Sequence, residues 1–133
     1  MFEIIREIGA ITRSIQNDSN QRFKEDQLNN NLFIYIIRVV ERPGMFMGEL
    51  ADSIQADRTT SFRTVKKLVD KGYLELKSDP TNLKIKRVYP TKQAKSYYPK
   101  LHAYEQNRSD QLVKNLSDKE LDQLKRLMRK LNY

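Results

Sequence analysis

Apolar residues recur at Ile4, Ile8, Ile11 and Ile15 in an otherwise polar opening segment. Steps of four, three and four lay one narrow stripe along a helix, and that heptad-like spacing suits a helix–helix seam. The polar run Asn17-Asp18-Ser19-Asn20 is expected to end this helix. Asn29-Asn30-Asn31 then reads as an N-cap signal, because Asn accepts hydrogen bonds from free helix amides. Leu32 to Val40 is apolar nearly all round, which predicts a buried central helix. Its β-branched residues would also suit a strand, but its length and the Glu41-Arg42-Pro43-Gly44 stop favour a helix.

The pattern then tightens. Met47–Ile54 predicts a short helix with Leu50, Ala51 and Ile54 inward, followed by a turn at Gln55-Ala56. Asp57 is placed to cap a second, basic helix, whose core face is predicted to be Phe62, Val65, Leu68 and Val69. Gly72 follows as the glycine that ends it. Tyr73–Lys77 alternates as a half-buried strand, and Ile85–Tyr89 returns as its partner after the Ser78-Asp79-Pro80-Thr81-Asn82 turn. Thr91 begins a long helix through about Leu116, kinked or loosened at Pro99. Ser117 and Glu120 form a capping box before a last helix striped by Leu121, Leu124, Leu127, Met128 and Leu131. The expected fold is mainly α with a small β wing. It is one domain over 1–133, with a winged helix-turn-helix at about 28–91 and dimerisation helices at about 1–19 and 91–133.

Charge sharpens that reading. The chain carries a formal net charge of +8. Between Asp57 and Lys95 eleven Lys or Arg face four acids, so nearly all of the excess lies on the basic helix and the hairpin. A solvated face kept for solubility would also look basic, but clustering on a reading module points to a polyanion, and nucleic acid leads. There is no cysteine, which excludes disulfides and thiol chemistry. His102 is the single histidine, so no metal site is expected. Neither a phosphate loop nor a Ser/His/Asp set is present, so an enzyme is not expected, nor is a cofactor. With no signal peptide and no apolar run long enough for a bilayer, the expected location is cytoplasmic, with no membrane partner.

The predicted DNA contacts are Arg58, Thr59, Thr60, Ser61, Arg63, Thr64, Lys66, Lys67, Lys84, Lys86 and Arg87. Arg63 is the candidate for a bidentate bond to guanine. Thr59, Thr60 and Ser61 lie near the helix start, where bases or phosphates are in reach. Lys66, Lys67, Lys84, Lys86 and Arg87 are assigned to phosphates, which position the protein without reading sequence. Ile4, Ile8, Ile11 and Ile15, with Leu121, Leu124 and Leu131, are the predicted dimer seam. A core small enough to need help from a second copy supports that assignment.

The order of these segments resembles the MarR/SlyA family of transcriptional regulators over nearly the whole chain. The signposts are Glu41-x-Pro43-Gly44, Glu49-Leu50-Ala51, Asp57-Arg58-Thr59-Thr60 and Leu68-Val69-Asp70-Lys71-Gly72-Tyr73-Leu74. The wing and its exit, Asp79-Pro80 through Thr91, and the tail Leu112–Leu121 also fit. The resemblance implies a homodimer on a palindromic double-stranded DNA operator, usually acting as a repressor. It also places Arg63-Thr64 at a DNA-holding step of the recognition helix. It implies a small anionic or phenolic effector, for which Phe2, Ile8, Phe23, Tyr35 and Arg38 are the candidate lining residues. One departure stands out. The family's wing tip usually reads Asp-Arg-Arg or Asp-Lys-Arg, and here it is Asn82-Leu83-Lys84. Either Lys84 or Lys86 then supplies the minor-groove cation, or the wing contributes phosphate contacts alone. That departure also motivates an alternative reading, a winged-helix protein-interaction module with little specific DNA binding.

Overall fold

The computed structural model describes all 133 residues, Met1–Tyr133. In chain order the elements are α1 (Glu3–Phe23), α2 (Leu32–Glu41), β1 (Met45–Phe46), α3 (Met47–Ile54), α4 (Arg58–Asp70), β2 (Leu74–Asp79), β3 (Asn82–Pro90), α5 (Lys92–Val113) and α6 (Asp118–Met128). They divide into two units, Met1–His102 and Ala103–Tyr133. No helix is long and apolar enough to cross a membrane.

The first unit is built on α2. Phe33, Tyr35, Ile36, Ile37 and Val39 are all buried, as an all-round apolar helix requires. Against it pack α3, α4 and β3. Leu50, Ala51, Val65, Leu68, Leu74 and Val88 complete the core. The sheet is antiparallel in the order β1-β3-β2, with Met45 opposite Val88 and Leu76 opposite Val88 from the other side. Pro90 ends the central strand β3 beyond the reach of β1, so its missing N–H breaks no ladder bond there.

Two helix ends differ from expectation. α1 runs on through Asn17-Asp18-Ser19-Asn20 to Phe23. The run contains no Gly or Pro, and its polar groups find partners within the helical conformation. The Ser19 hydroxyl donates to the Gln16 carbonyl at 3.1 Å, and Asn20 Oδ1 accepts from the Asn30 amide at 2.7 Å. Phe23 is fully buried against Phe33, ring centres 4.7 Å apart, which anchors the extra turn. At the start of α2, Asn31 is left-handed (φ 66°) and makes no side-chain cap. The asparagines serve there as residues that tolerate positive φ, with Asn30 at 57°, rather than as hydrogen-bond acceptors.

Other punctuation works as expected. Gly72 (φ 83°) ends α4, its amide donating to Val69 O while Tyr73 N reaches Leu68 O. The Thr91 hydroxyl donates to Gly72 O at 2.6 Å and accepts from Ala94 N at 3.3 Å, joining the end of α4 to the start of α5. Asp26 ties the α1–α2 loop to α5. It accepts from Lys100 Nζ at 2.8 Å and from the Tyr97 hydroxyl at 2.9 Å. Lys100 first, then Tyr97, hold this carboxyl below its ordinary range, against the pull of partial burial. The strand β1 is an addition: two residues carry no periodicity by which to be found.

In the second unit, Ser117 caps α6 with its capping box. Ser117 Oγ accepts from Glu120 N at 3.1 Å and Glu120 Oε1 accepts from Ser117 N at 2.9 Å. No residue of α6 is buried.

Candidate nucleic-acid interface

The helices α3 and α4 pack against each other. Ala51 is fully buried, and Gln55 takes the left-handed conformation (φ 60°) that turns the chain between the helices. Asp57 then caps α4, its Oδ1 accepting from Thr60 N at 2.8 Å and its Oδ2 from the Thr60 hydroxyl at 2.6 Å. Those bonds from Thr60 hold the Asp57 carboxyl below its usual pKa.

The inward face of α4 is Ser61, Val65 and Leu68. This corrects two expectations. Ser61 does not face a partner molecule: it is buried, with its Oγ 3.0 Å from the Tyr35 hydroxyl. Phe62 is not core: it is 47% exposed, with Lys66 Nζ 5.3 Å from its ring centre. Ser61 and Phe62 belong to two stripes that share Val65 and Leu68. Burying Tyr35 requires a partner for its hydroxyl, and only the stripe containing Ser61 supplies one.

The outward face gathers Thr59, Arg63, Lys66 and Lys67, all exposed. Arg58 is exposed too, 3.7 Å from Asp52 on α3. A Cβ at Gly48 would lie 3.0 Å from the Arg58 guanidinium carbon, so the glycine leaves room for that side chain. Thr60 is exposed but its hydroxyl is engaged by the cap. Thr64 is half-buried and donates to the Thr60 carbonyl at 2.9 Å.

On the wing, Lys84 is exposed at the tip, beside Leu83, which is 72% exposed. Lys86 Nζ donates across the hairpin to Ser78 Oγ at 2.8 Å. Arg87, also expected at a phosphate, is tied into the protein itself. It is half-buried, with Nε donating to Asp79 Oδ1 at 2.7 Å and Nη1 to Gly44 O at 2.8 Å. Its guanidinium also lies 4.0 Å from the centre of the Phe46 ring. Its Nε and one Nη1 donor are thus committed within the protein.

Among the predicted seam residues, Ile4, Ile8, Ile11, Leu124 and Leu131 are exposed, and Ile15 and Leu121 are half-buried. Of the residues named for an effector, Phe23 and Tyr35 are buried in the core. Phe2 and Ile8 are exposed, and Arg38 Nη1 lies 4.0 Å from Glu41. A groove of about 540 Å³ does exist elsewhere, lined by Lys24, Gln27, Asn29, Asn30, Lys67 and Lys71. Sequence reasoning passed over Lys24 and Lys71, because nothing in local spacing brings that loop to the end of α4.

A helix-turn-helix with an antiparallel hairpin beside its second helix is a winged helix-turn-helix. No protein-family model matches the chain. It is 33% identical over 131 residues to the uncharacterized HTH-type transcriptional regulator YybA of Bacillus subtilis (strain 168), covering 98% of this chain and 87% of that one. It resembles the crystal structure of the transcriptional regulator SlyA with a TM-score of 0.92 and 36% identity, over 96% of this chain and 90% of that one. A protein described as a MarR family transcriptional regulator from Listeria monocytogenes, solved with 26mer DNA, matches with a TM-score of 0.91 and 32% identity, over 98% and 87%. The chain belongs to the MarR/SlyA family of winged helix-turn-helix transcriptional regulators.

Proposed function

We propose that this regulator binds a palindromic DNA operator as a homodimer and represses transcription there, with no catalytic role. The observation that carries the reading is the outward face of α4. Thr59, Arg63, Lys66 and Lys67 stand exposed on a capped helix whose other face is fixed in the core. A helix of that form enters the major groove, with a dimer's two copies about 34–36 Å apart. Arg63 is assigned to guanine, and Lys66, Lys67, Lys84 and Lys86 to phosphates. Thr59 and Thr60 sit by the N-terminal amides of α4, where a phosphate is favoured. The terminal segments, about 1–19 and 91–133, are assigned to the dimer. Supporting this, the apolar stripes of α1 and α6 lie largely exposed in a single chain. Repression is the family's usual mode and follows if the dimer occludes a promoter.

Selection of bound duplexes from a random-sequence pool tests the reading. A palindromic consensus is expected. Arg63→Ala should cost ~1–3 kcal/mol on that duplex and relax preference at one base pair per half-site. Equal losses on selected and scrambled duplex would make Arg63 a phosphate clamp instead. Absence of binding to any duplex at low salt would overturn DNA recognition and leave protein recognition as the function of the wing.

A further inference from the structure

The wing carries an ion pair that its tip sequence does not announce. Asp79 closes β2, and Arg87 lies on the facing strand, opposite Lys77 on one side and Phe46 of β1 on the other. Asp79 is 5% exposed. Its Oδ2 accepts from the amides of Thr81 and Asn82, at 3.2 and 3.1 Å, and from the Thr81 hydroxyl. Its Oδ1 is held by Arg87 Nε. Arg87 in turn reaches Gly44 O and lies on the Phe46 ring. Phe46 immediately precedes α3, its amide donating to Glu49 Oε1 at 3.0 Å. One chain of contacts thus runs from the turn of the hairpin to the first turn of the helix-turn-helix.

We infer that Arg87 is a positioning residue. Together with Asp79 it fixes the angle and tip of the wing against α3, so that Lys84 and Lys86 meet the DNA backbone, while Arg87 itself touches no phosphate. The argument is one of competition. Arg87 already makes two charge-assisted hydrogen bonds and one ring contact, which aim its guanidinium at Asp79 and Gly44, and turning it fully to a phosphate would break them. The fork geometry matters too. Nε and Nη1 bind two acceptors that come from different elements, an arrangement a lysine ammonium does not reproduce. The tip residues Asn82 and Leu83 have no charge with which to hold the turn. Asp79 does that from below, and Arg87 connects it to the body of the domain.

This inference rests on the proposed DNA recognition, and its test separates the two. Full-length protein is titrated with the duplex that wild type selects from a random pool, across a salt series. The variants are Asp79→Asn, Arg87→Met, Arg87→Lys and the Asp79→Asn/Arg87→Met double. A positioning pair predicts that each single variant weakens binding by about tenfold, and that the double is no worse than either single. The slope of log K against log salt should fall alike in Asp79→Asn, Arg87→Met and the double, because each releases Lys84 and Lys86 from the DNA backbone. Arg87→Lys should behave like Arg87→Met. A phosphate clamp predicts a different pattern. Arg87→Lys would bind like wild type, and Arg87→Met would lose about 0.9 from the slope for each subunit. Asp79→Asn would then tighten binding by removing an anion beside the phosphates. That sign is decisive, because the brace makes the same charge change weaken binding. If wild type binds no duplex, both readings fall. If wild type binds and the clamp pattern appears, the brace alone falls. Loss of the cooperative unfolding transition in Arg87→Met would leave Arg87→Lys and Asp79→Asn to decide by the same signs.

Discussion

Tyr35 projects from the central helix towards α4 with a buried hydroxyl, and the residue it meets there is Ser61. A leucine at 61 would add apolar contact but leave that hydroxyl without a partner, at a cost of about 1–3 kcal/mol. The serine is small enough to let the helices close and polar enough to satisfy the bond. This one pairing rotates α4 so that Phe62 turns outward beside Lys66 and Arg63 stands on the exposed face. The rotation was not legible in α4 alone. Stripes through Ser61 and through Phe62 both have helical period, and an aromatic is the natural guess for the core. Only the hydroxyl on a different helix decides between them. Two substitutions separate the roles. Ser61→Ala should destabilise the fold by about 1–3 kcal/mol. Phe62→Ala should change stability by less than about 1 kcal/mol, where a fully buried Phe would cost about 3–5. Phe62→Ala should instead lower DNA affinity, since the ring lies beside the residues proposed to read the groove and can meet a thymine methyl. Denaturant unfolding and DNA titration of both variants check this. A large stability loss in Phe62→Ala would place the ring back in the core.

At the scale of elements, legibility followed punctuation. Pro43-Gly44, Asp57, Gly72, Asp79-Pro80, Thr91 and Ser117 each mark a boundary through backbone chemistry that is local, and the structure uses each of them at or next to a boundary. The end of α1 and the two-residue β1 have no such mark and were not legible. The asparagine run before α2 has a mark with two meanings, cap or left-handed turn, and the fold uses the second. In the hairpin, the turn was legible but its brace was not, because Arg87 read as one more cation in a basic segment. The brace has a pH signature. The Asp79 carboxyl sits at about 2 instead of 3.8, held first by the Thr81 hydroxyl and next by Arg87. Folding therefore favours the ionised form, and the stability this adds is full above pH 3.8 and lost as pH falls through about 2. Thermal unfolding of wild type and Asp79→Asn should show wild type ahead at neutral pH. The gap should begin to close below about pH 4 and be nearly gone near pH 2. A gap that stays constant down to pH 2 would mean that the Asp79 charge contributes nothing to the wing.

The whole molecule leaves apolar surface that a single chain does not cover. Phe2, Ile4, Ile5, Ile8 and Ile11 are exposed on α1 and the segment before it, and Leu124, Leu127 and Met128 on α6, with Leu131 just beyond. Water contact over two amphipathic stripes is costly, and a second copy of the same chain offers matching stripes. The stripes were legible from period alone; whether they faced inward or outward was not, since that depends on how much core one chain builds. Sedimentation at micromolar concentration should give twice the chain mass. Ile8→Glu and Leu124→Glu place a charge on each stripe at positions exposed in one chain, so each protomer should keep its own core while the dimer weakens. DNA binding supplies the second readout. If each subunit neutralises ~3–5 phosphates, the dimer should lose roughly 10³–10⁵ in affinity between 50 and 200 mM salt. A monomeric variant contacts half as many phosphates, so its slope against log salt should fall to about half as well. A variant that sediments as a monomer yet keeps the wild-type slope would show that one chain makes all the phosphate contacts. The two exposed stripes would then need a partner other than a second copy.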